Sequence, residues 1–179
     1  GQQIHKYKNL LDRDFHSEKP NSKWVTDISY IHTGQGVLYL SMIRDLYDNS
    51  IVAYKTATDQ TMNLVLDTIR LAMREEKKRV AGELHLHSDQ GVSAPRKHTL
   101  PDSSIRHNTV HVKAWERYDN SVAENFFSIL KTECIYRQNI ATVQLDRELI
   151  DEFVYFYNHE RIQSKIGVAP LRYATPLKT

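Results

Sequence analysis

Three acidic residues stand where a carboxylate needs a partner. Asp27 sits in the middle of Trp24-Val25-Thr26-Asp27-Ile28-Ser29-Tyr30-Ile31, the most apolar strand-like run of the chain. An unpaired charge buried there costs several kcal/mol, so the position asks for a salt bridge, an exposed edge or a divalent metal ion. Asp89 closes Leu84-His85-Leu86-His87-Ser88-Asp89, whose alternation puts it on the face of His85 and His87, opposite Leu84 and Leu86. It reads either as a turn-forming Asp ahead of Gly91 or as a ligand at a strand end, where α/β sheets commonly bind. The two histidines do not make a zinc site, since no Cys or third His stands at a suitable spacing. Glu124 opens a helical run, and Ser121-Val122-Ala123-Glu124 is also a capping box, in which Glu124 would bond back to the Ser121 N–H. Along the same helix Glu124, Ser128 and Lys131 share a face, while Val122, Phe126, Ile129 and Leu130 lie largely on others. An acid and a base two turns apart, beside an apolar stripe, suit a face that meets a metal ion and a phosphate backbone.

These residues need a scaffold, and the patterning supplies one. Residues 1 to 20 are polar, end at Pro20 and read as an arm or linker. The chain opens on Gly1 rather than Met, as a fragment or a processed chain would. From Trp24 onward, β-branched and aromatic residues predict a strand to Ile31, then strands over Val37 to Arg44 and Ser50 to Thr58. Gly34-Gln35-Gly36 and Asp48-Asn49 are the turns of this antiparallel meander. Thr61 to Lys78 predicts a helix with Leu64, Thr68, Leu71 and Ala72 near one face and Arg74, Lys77, Lys78 and Arg79 at its C-terminal end, where cations suit the dipole. Leu84 to Asp89 predicts a fourth strand. Ser121 to Ile135 and Thr142 to Asn158 predict two more helices, the second with Leu145, Leu149, Phe153 and Phe156 or Tyr157 along one face. A tail with Gly167 and Pro170 follows. This order predicts an α/β core over residues 21–160 with a mixed sheet, and a C-terminal tail over 161–179.

The bulk numbers exclude some classes. A chain of 179 residues is long enough for one domain with a real core. Its net charge of +2 does not by itself announce a nucleic-acid binder, though bulk charge hides local faces. The single cysteine, Cys134, allows no internal disulfide and suits a reducing cytoplasm. No apolar run is long enough to span a membrane, and the N-terminus lacks the apolar stretch of a signal peptide.

Taken together, Trp24-Val25-Thr26-Asp27-Ile28, Leu38-Tyr39-Leu40-Ser41, His87-Ser88-Asp89-Gln90-Gly91, Tyr118 to Phe127, Leu130-Lys131 and Phe156-Tyr157-Asn158-His159-Glu160-Arg161 closely resemble the integrase-core transposases of bacterial insertion sequences, relatives of retroviral integrases. The resemblance runs through most of the chain in order. It implies a ribonuclease H-like fold with a five-stranded mixed sheet. It also implies metal-binding, catalytic carboxylates at Asp27, Asp89 and Glu124, and DNA contacts at Tyr118, Asn120, Ser128, Lys131 and Arg161. Gln163 departs from a His that the family often carries. Three hard oxygen ligands suit Mg²⁺ or Mn²⁺, two ions being expected for in-line phosphodiester displacement. The implied reaction is hydrolytic strand cleavage followed by attack of the freed 3′-OH on a second DNA site. The implied partners are transposon-end and target DNA and further copies of the chain, at the nucleoid of a bacterial cytoplasm. A catalytically dead remnant that binds DNA or an intact transposase, and a nuclease that cleaves without joining, are the competing readings.

One stretch does not share the resemblance. The likeness vanishes from Val92 to Arg117 and resumes at Tyr118, with the Asp89–Glu124 spacing one residue short of the family's usual one. His107 to Glu116 can be encoded by codons that, read one base later, give Ile-Thr-Pro-Ser-Met-Ser-Arg-Arg-Gly-Asn, the strand the family has here; ordinary divergence of a loop is the alternative. Ile105-Arg106 likewise yields Tyr-Gly. Two compensating frameshifts, near Gly91 and near Arg117, account for this. The segment holds five Lys or Arg against two Asp or Glu, and Pro95 and Pro101 fall where a helix is expected. It is expected to order poorly over Val92 to Asn108, to loosen the carboxylate geometry and to impair this copy. Val110, Val112 and Ala114 alternate with His111 and Lys113, so a replacement edge strand can still form.

Overall fold

In the computed structural model, the described residues are 17–76, 83–88, 111–117, 121–138 and 142–174, with the backbone alone at 83, 111–117, 121 and 174. The arm at 1–16, Asp89, Tyr118, Asn120 and the stretch 92–108 expected to order poorly lie outside them.

The meander forms as its alternation predicts. β1 (Lys23–Thr33), β2 (Gly36–Asp45) and β3 (Ile51–Ala57) pair antiparallel in sequence. Gly36 closes the β1–β2 turn at φ 130°, a value that favours glycine, and Asn49 takes a left-handed φ of 66° in the β2–β3 turn. α1 (Met62–Glu75) then leads to β4 (Glu83–Ser88). The Thr61 hydroxyl caps α1 by accepting from the Leu64 N–H at 3.3 Å. β4 pairs parallel with β1, and β5 (His111–Arg117) pairs parallel with β4. The sheet is therefore five-stranded and mixed, in the order β3-β2-β1-β4-β5. A replacement strand does stand at the edge, within the segment that departs from the family pattern.

Helices cover both faces. Trp24, Ile43, Ala53, Leu84 and Leu86 pack with Val65, Ile69 and Ala72 of α1. On the other face, Val25, Ile31, Leu38, Leu40 and Met42 pack against α2 (Ser121–Glu133) and α3 (Val143–His159) through Phe126, Leu130, Ile150, Phe153 and Tyr157. A 3₁₀ turn at Ile135–Arg137 links these two helices, and α4 (Pro170–Ala174) ends the described chain.

Two sequence expectations are corrected. α3 buries Asp146, Ile150, Phe153, Val154, Tyr157 and Asn158, whereas Leu145 and Phe156 are exposed. The buried stripe is rotated from the one read through Leu145 and Leu149. Its orientation follows polar ties across β3: the Tyr54 hydroxyl donates to Asp151 Oδ1 at 2.6 Å, and Arg147 Nε donates to the Thr56 hydroxyl at 3.2 Å. α1 closes at Glu75 with a cap at Glu76, so of the basic residues read into its end only Arg74 lies in the last turn.

Candidate carboxylate site

β1 and α2 bring the site together. Asp27 follows Thr26, the last residue of β1 paired with β4 among the described residues, and shares the sheet face of Val25, against which α2 packs. Its Oδ1 accepts from the N–H of Ile28 at 2.8 Å. α2 lays Ala123, Phe126, Phe127 and Leu130 into the core and turns Glu124 and Ser128 outward. Asp27, Ile28, Ser29, Glu124, Phe127, Ser128, Lys131, Thr132 and Tyr136 line one open cleft of about 510 Å³. The acid, hydroxyl and base expected on one face of α2 do share it, and that face meets Asp27.

Lys131 is partly buried, and burial pushes its ammonium below the usual lysine range. Its Nζ stands 5.1 Å from the centre of the Tyr30 ring, a cation–π distance. Tyr136, which sequence reasoning missed, is 72% exposed at the cleft rim. Nothing in its local pattern signals this, because the 3₁₀ turn after α2 places it.

Asp89 lies outside the described residues, but the frame around it does not. Val25 pairs with His87 and Thr26 with Ser88, so His87 shares the sheet face of Val25 and Asp27. The rings of His85 and His87 stack at 6.4 Å between centroids, and no metal-holding group of three His, Cys, Asp or Glu occurs among the described residues. Two carboxylates on one cleft are the hard-oxygen donors that Mg²⁺ or Mn²⁺ takes, so the residues present fit such an ion.

Arg161 is placed differently from Ser128 and Lys131, which line the cleft. Its Nε and Nη2 donate to the two carboxylate oxygens of Glu133, at 2.9 and 2.6 Å, and it does not line the cleft. Tyr157 and Asn158 of the same run are structural. Tyr157 is fully buried, and the Asn158 amide bonds both the N–H and the C=O of Ile51, at 2.8 and 3.0 Å.

Comparisons with known proteins bear on the family and the fold. Two family profiles, both described as Integrase core domain, match residues 17–99 and 124–177. An uncharacterized transposase-like protein of Haemophilus influenzae is 38% identical over 98% of this chain and 81% of its own length. This chain belongs to the integrase-core transposases. Transposase InsF of the insertion sequence IS3A from Escherichia coli is 30% identical over 89% of the chain, which spans 56% of that relative. The catalytic core of HTLV-2 integrase, solved in complex with magnesium, superimposes with a TM-score of 0.62 at 12% identity, over 89% of this chain and 99% of its own. The fold of this transposase core is thus ribonuclease H-like. No helix among the described residues is long and apolar enough to cross a membrane.

Proposed function

We propose that this transposase core performs Mg²⁺- or Mn²⁺-dependent DNA strand cleavage and 3′-OH strand transfer, with Asp27, Asp89 and Glu124 as the catalytic carboxylates. The observation that carries the reading is the single cleft shared by Asp27, Glu124 and Lys131. Asp89 enters the reading from the resemblance; Ser88, the last described residue before it, pairs with Thr26, the neighbour of Asp27. The bound metal, two ions in this reading, supplies charge neutralisation at the attacking and leaving oxygens of the scissile phosphate. Asp27 holds one side of the cleft from β1 and Glu124 the other from α2, with Asp89 completing the set in this reading. Lys131 and Ser128 orient the phosphate backbone from the same helical face. Tyr118 and Asn120 extend the DNA contact ahead of α2. No covalent enzyme–DNA bond is needed, so no nucleophilic Ser or Tyr enters. Transposon-end and target DNA are the partners, handled by an oligomer of this chain at the nucleoid.

A second reading, an impaired copy, is favoured by one observation. The family matches end at residue 99 and resume at 124, leaving between them most of the segment with the shifted-frame signature. Restoring residues 92–117 to that frame, with one residue added, tests both readings in a strand-transfer assay on DNA ends with Mg²⁺. The expected result is a rise in thermal stability and joining together. Equal joining by the native and restored chains contradicts the impairment, and no metal-dependent joining by either contradicts the transposase chemistry.

A further inference from the structure

Apolar packing of Ala123, Phe126, Phe127 and Leu130 holds α2 on the sheet. Directional polar ties sharpen its position along the axis, and so that of Glu124 against Asp27. Arg44 of β2 shares the sheet face of Leu38, Leu40 and Met42 and is 4% exposed. Its Nη1 donates to the C=O of Val122, in the first turn of α2 and two residues before Glu124, at 2.5 Å. Its Nε donates to the C=O of Asn49, in the β2–β3 turn, at 3.2 Å. Its Cζ lies 5.9 Å from the centre of the Tyr157 ring on α3. One guanidinium therefore ties the sheet, a turn and α3 to the N-terminal turn of the helix that bears Glu124. At the other end of α2, Glu133 is held by the two-pronged bond from Arg161. A planar fork can satisfy two carbonyls in fixed directions at once, which an ammonium on a flexible stem cannot.

We propose that Arg44 is a positioning residue of the carboxylate site: it fixes the first turn of α2, and with it Glu124, at the separation from Asp27 that sharing a metal ion requires. Arg161 anchors the far end of the same helix. The inference rests on the reading of Asp27 and Glu124 as metal ligands. Arg44 touches neither DNA nor metal and acts only through the helix. A displacement of about 1 Å at such a site costs on the order of a hundredfold in rate, and groups that orient metal ligands are worth about 10- to 100-fold in metal affinity.

The test uses the full chain with Mn²⁺ alone as probe, in wild type, R44K, R44Q, E124Q and the double variant R44K/E124Q. R44K keeps the charge and loses the fork. The expected outcome is about tenfold weaker Mn²⁺ binding in R44K, with faster amide exchange in the first half of α2 and unchanged exchange in its last turn. R44K adds no further loss in the E124Q background, because both act on one ligand. On nicked DNA product, R44K lowers kcat and leaves KM for DNA unchanged. Weakened Mn²⁺ binding in E124Q with unchanged binding in R44K overturns the positioning role alone. Wild-type Mn²⁺ affinity in E124Q overturns the metal reading and Arg44's role with it. Loss of the folded state in both R44K and R44Q overturns the proposal in favour of an architectural arginine.

Discussion

Two clefts of this transposase core are lined by acids, and they differ in what holds those acids. The larger, about 900 Å³, is lined by Asp45, Asp48, Glu75, Glu76 and Glu160, with Arg172 and His159. The smaller, about 510 Å³, has Asp27, Glu124 and Lys131. By size and acidity the first is the better cation trap. Its aspartates, however, are already committed to the backbone. Asp45 accepts from the N–H groups of Asn21 and Tyr47 at 2.7 and 3.0 Å, and Asp48 accepts from Ser50 at 2.7 Å. They close the β2–β3 turn and dock the strand entry, as short acidic side chains do in turns. In the smaller cleft the acids come from two different elements, a strand and a helix, with a lysine two turns on. Asp45, held by two backbone N–H groups, builds structure, whereas Asp27, bonded through Oδ1 to the N–H of Ile28, converges with Glu124 from a separate element beside a base, an arrangement that suits chemistry on phosphate.

The largest expected effect separates the two clefts by substitution. D27N and E124Q each reduce Mg²⁺-dependent nicking by on the order of a hundredfold or more, with melting temperatures near wild type. D45N does the reverse: it leaves an amide hydrogen facing a buried backbone N–H and destabilises by about 1–3 kcal/mol, while nicking per folded molecule is unchanged. Nicking kinetics and calorimetry on the three variants check this, and an active E124Q would restore the capping reading of Glu124. A smaller effect is expected from K131A. It weakens DNA binding and lowers the slope of log affinity against log salt by about one phosphate's worth. An unchanged slope in a binding titration would mean that Lys131 contacts no phosphate.

The last effect is a pH dependence of stability, centred on Asp45 of the larger cleft. Burial, opposed by the N–H groups of Tyr47 and Asn21, raises the Asp45 carboxyl to about 7 from its ordinary value near 3.8. The folded state therefore holds this proton at pH values where the unfolded chain has lost it. Stability from Asp45 is greatest below about pH 4 and declines as pH rises toward 7. Asp48 and Asp146 are raised by burial too, so they act in the same direction. Melting temperature falls less steeply between pH 5 and 7.5 in D45N than in wild type, and equal slopes would remove Asp45 from the balance.

Much of this was legible in the residues. The meander, β4 and all three long helices follow from alternation, caps and turn glycines, and the resemblance picked out Asp27 and Glu124 on two of those elements. The buried face of α3 was legible in part: Phe153 and Tyr157 are buried and Leu149 packs on the core as read, but Asp146 occupies a core position that a hydrophobicity pattern assigns to solvent. The ion pair of Arg161 was not legible for a related reason: an arginine in a motif looks alike whether it meets phosphate or a carboxylate 28 residues away in sequence. The role of Arg44 was invisible, since its partner Val122 lies 78 residues on and contributes only a backbone carbonyl. Long-range ties made by backbone atoms leave no trace in side-chain patterning.

The central claim is that the metal belongs between Asp27 and Glu124. Crystals of the chain soaked in Mn²⁺, measured for anomalous scattering, test it directly. The expected result is a peak bridging the Asp27 and Glu124 carboxylates at about 2.0–2.2 Å from an oxygen of each, with nothing among Asp45, Asp48 and Glu76. A peak in the larger cleft, with the Asp27–Glu124 cleft empty, would contradict the account.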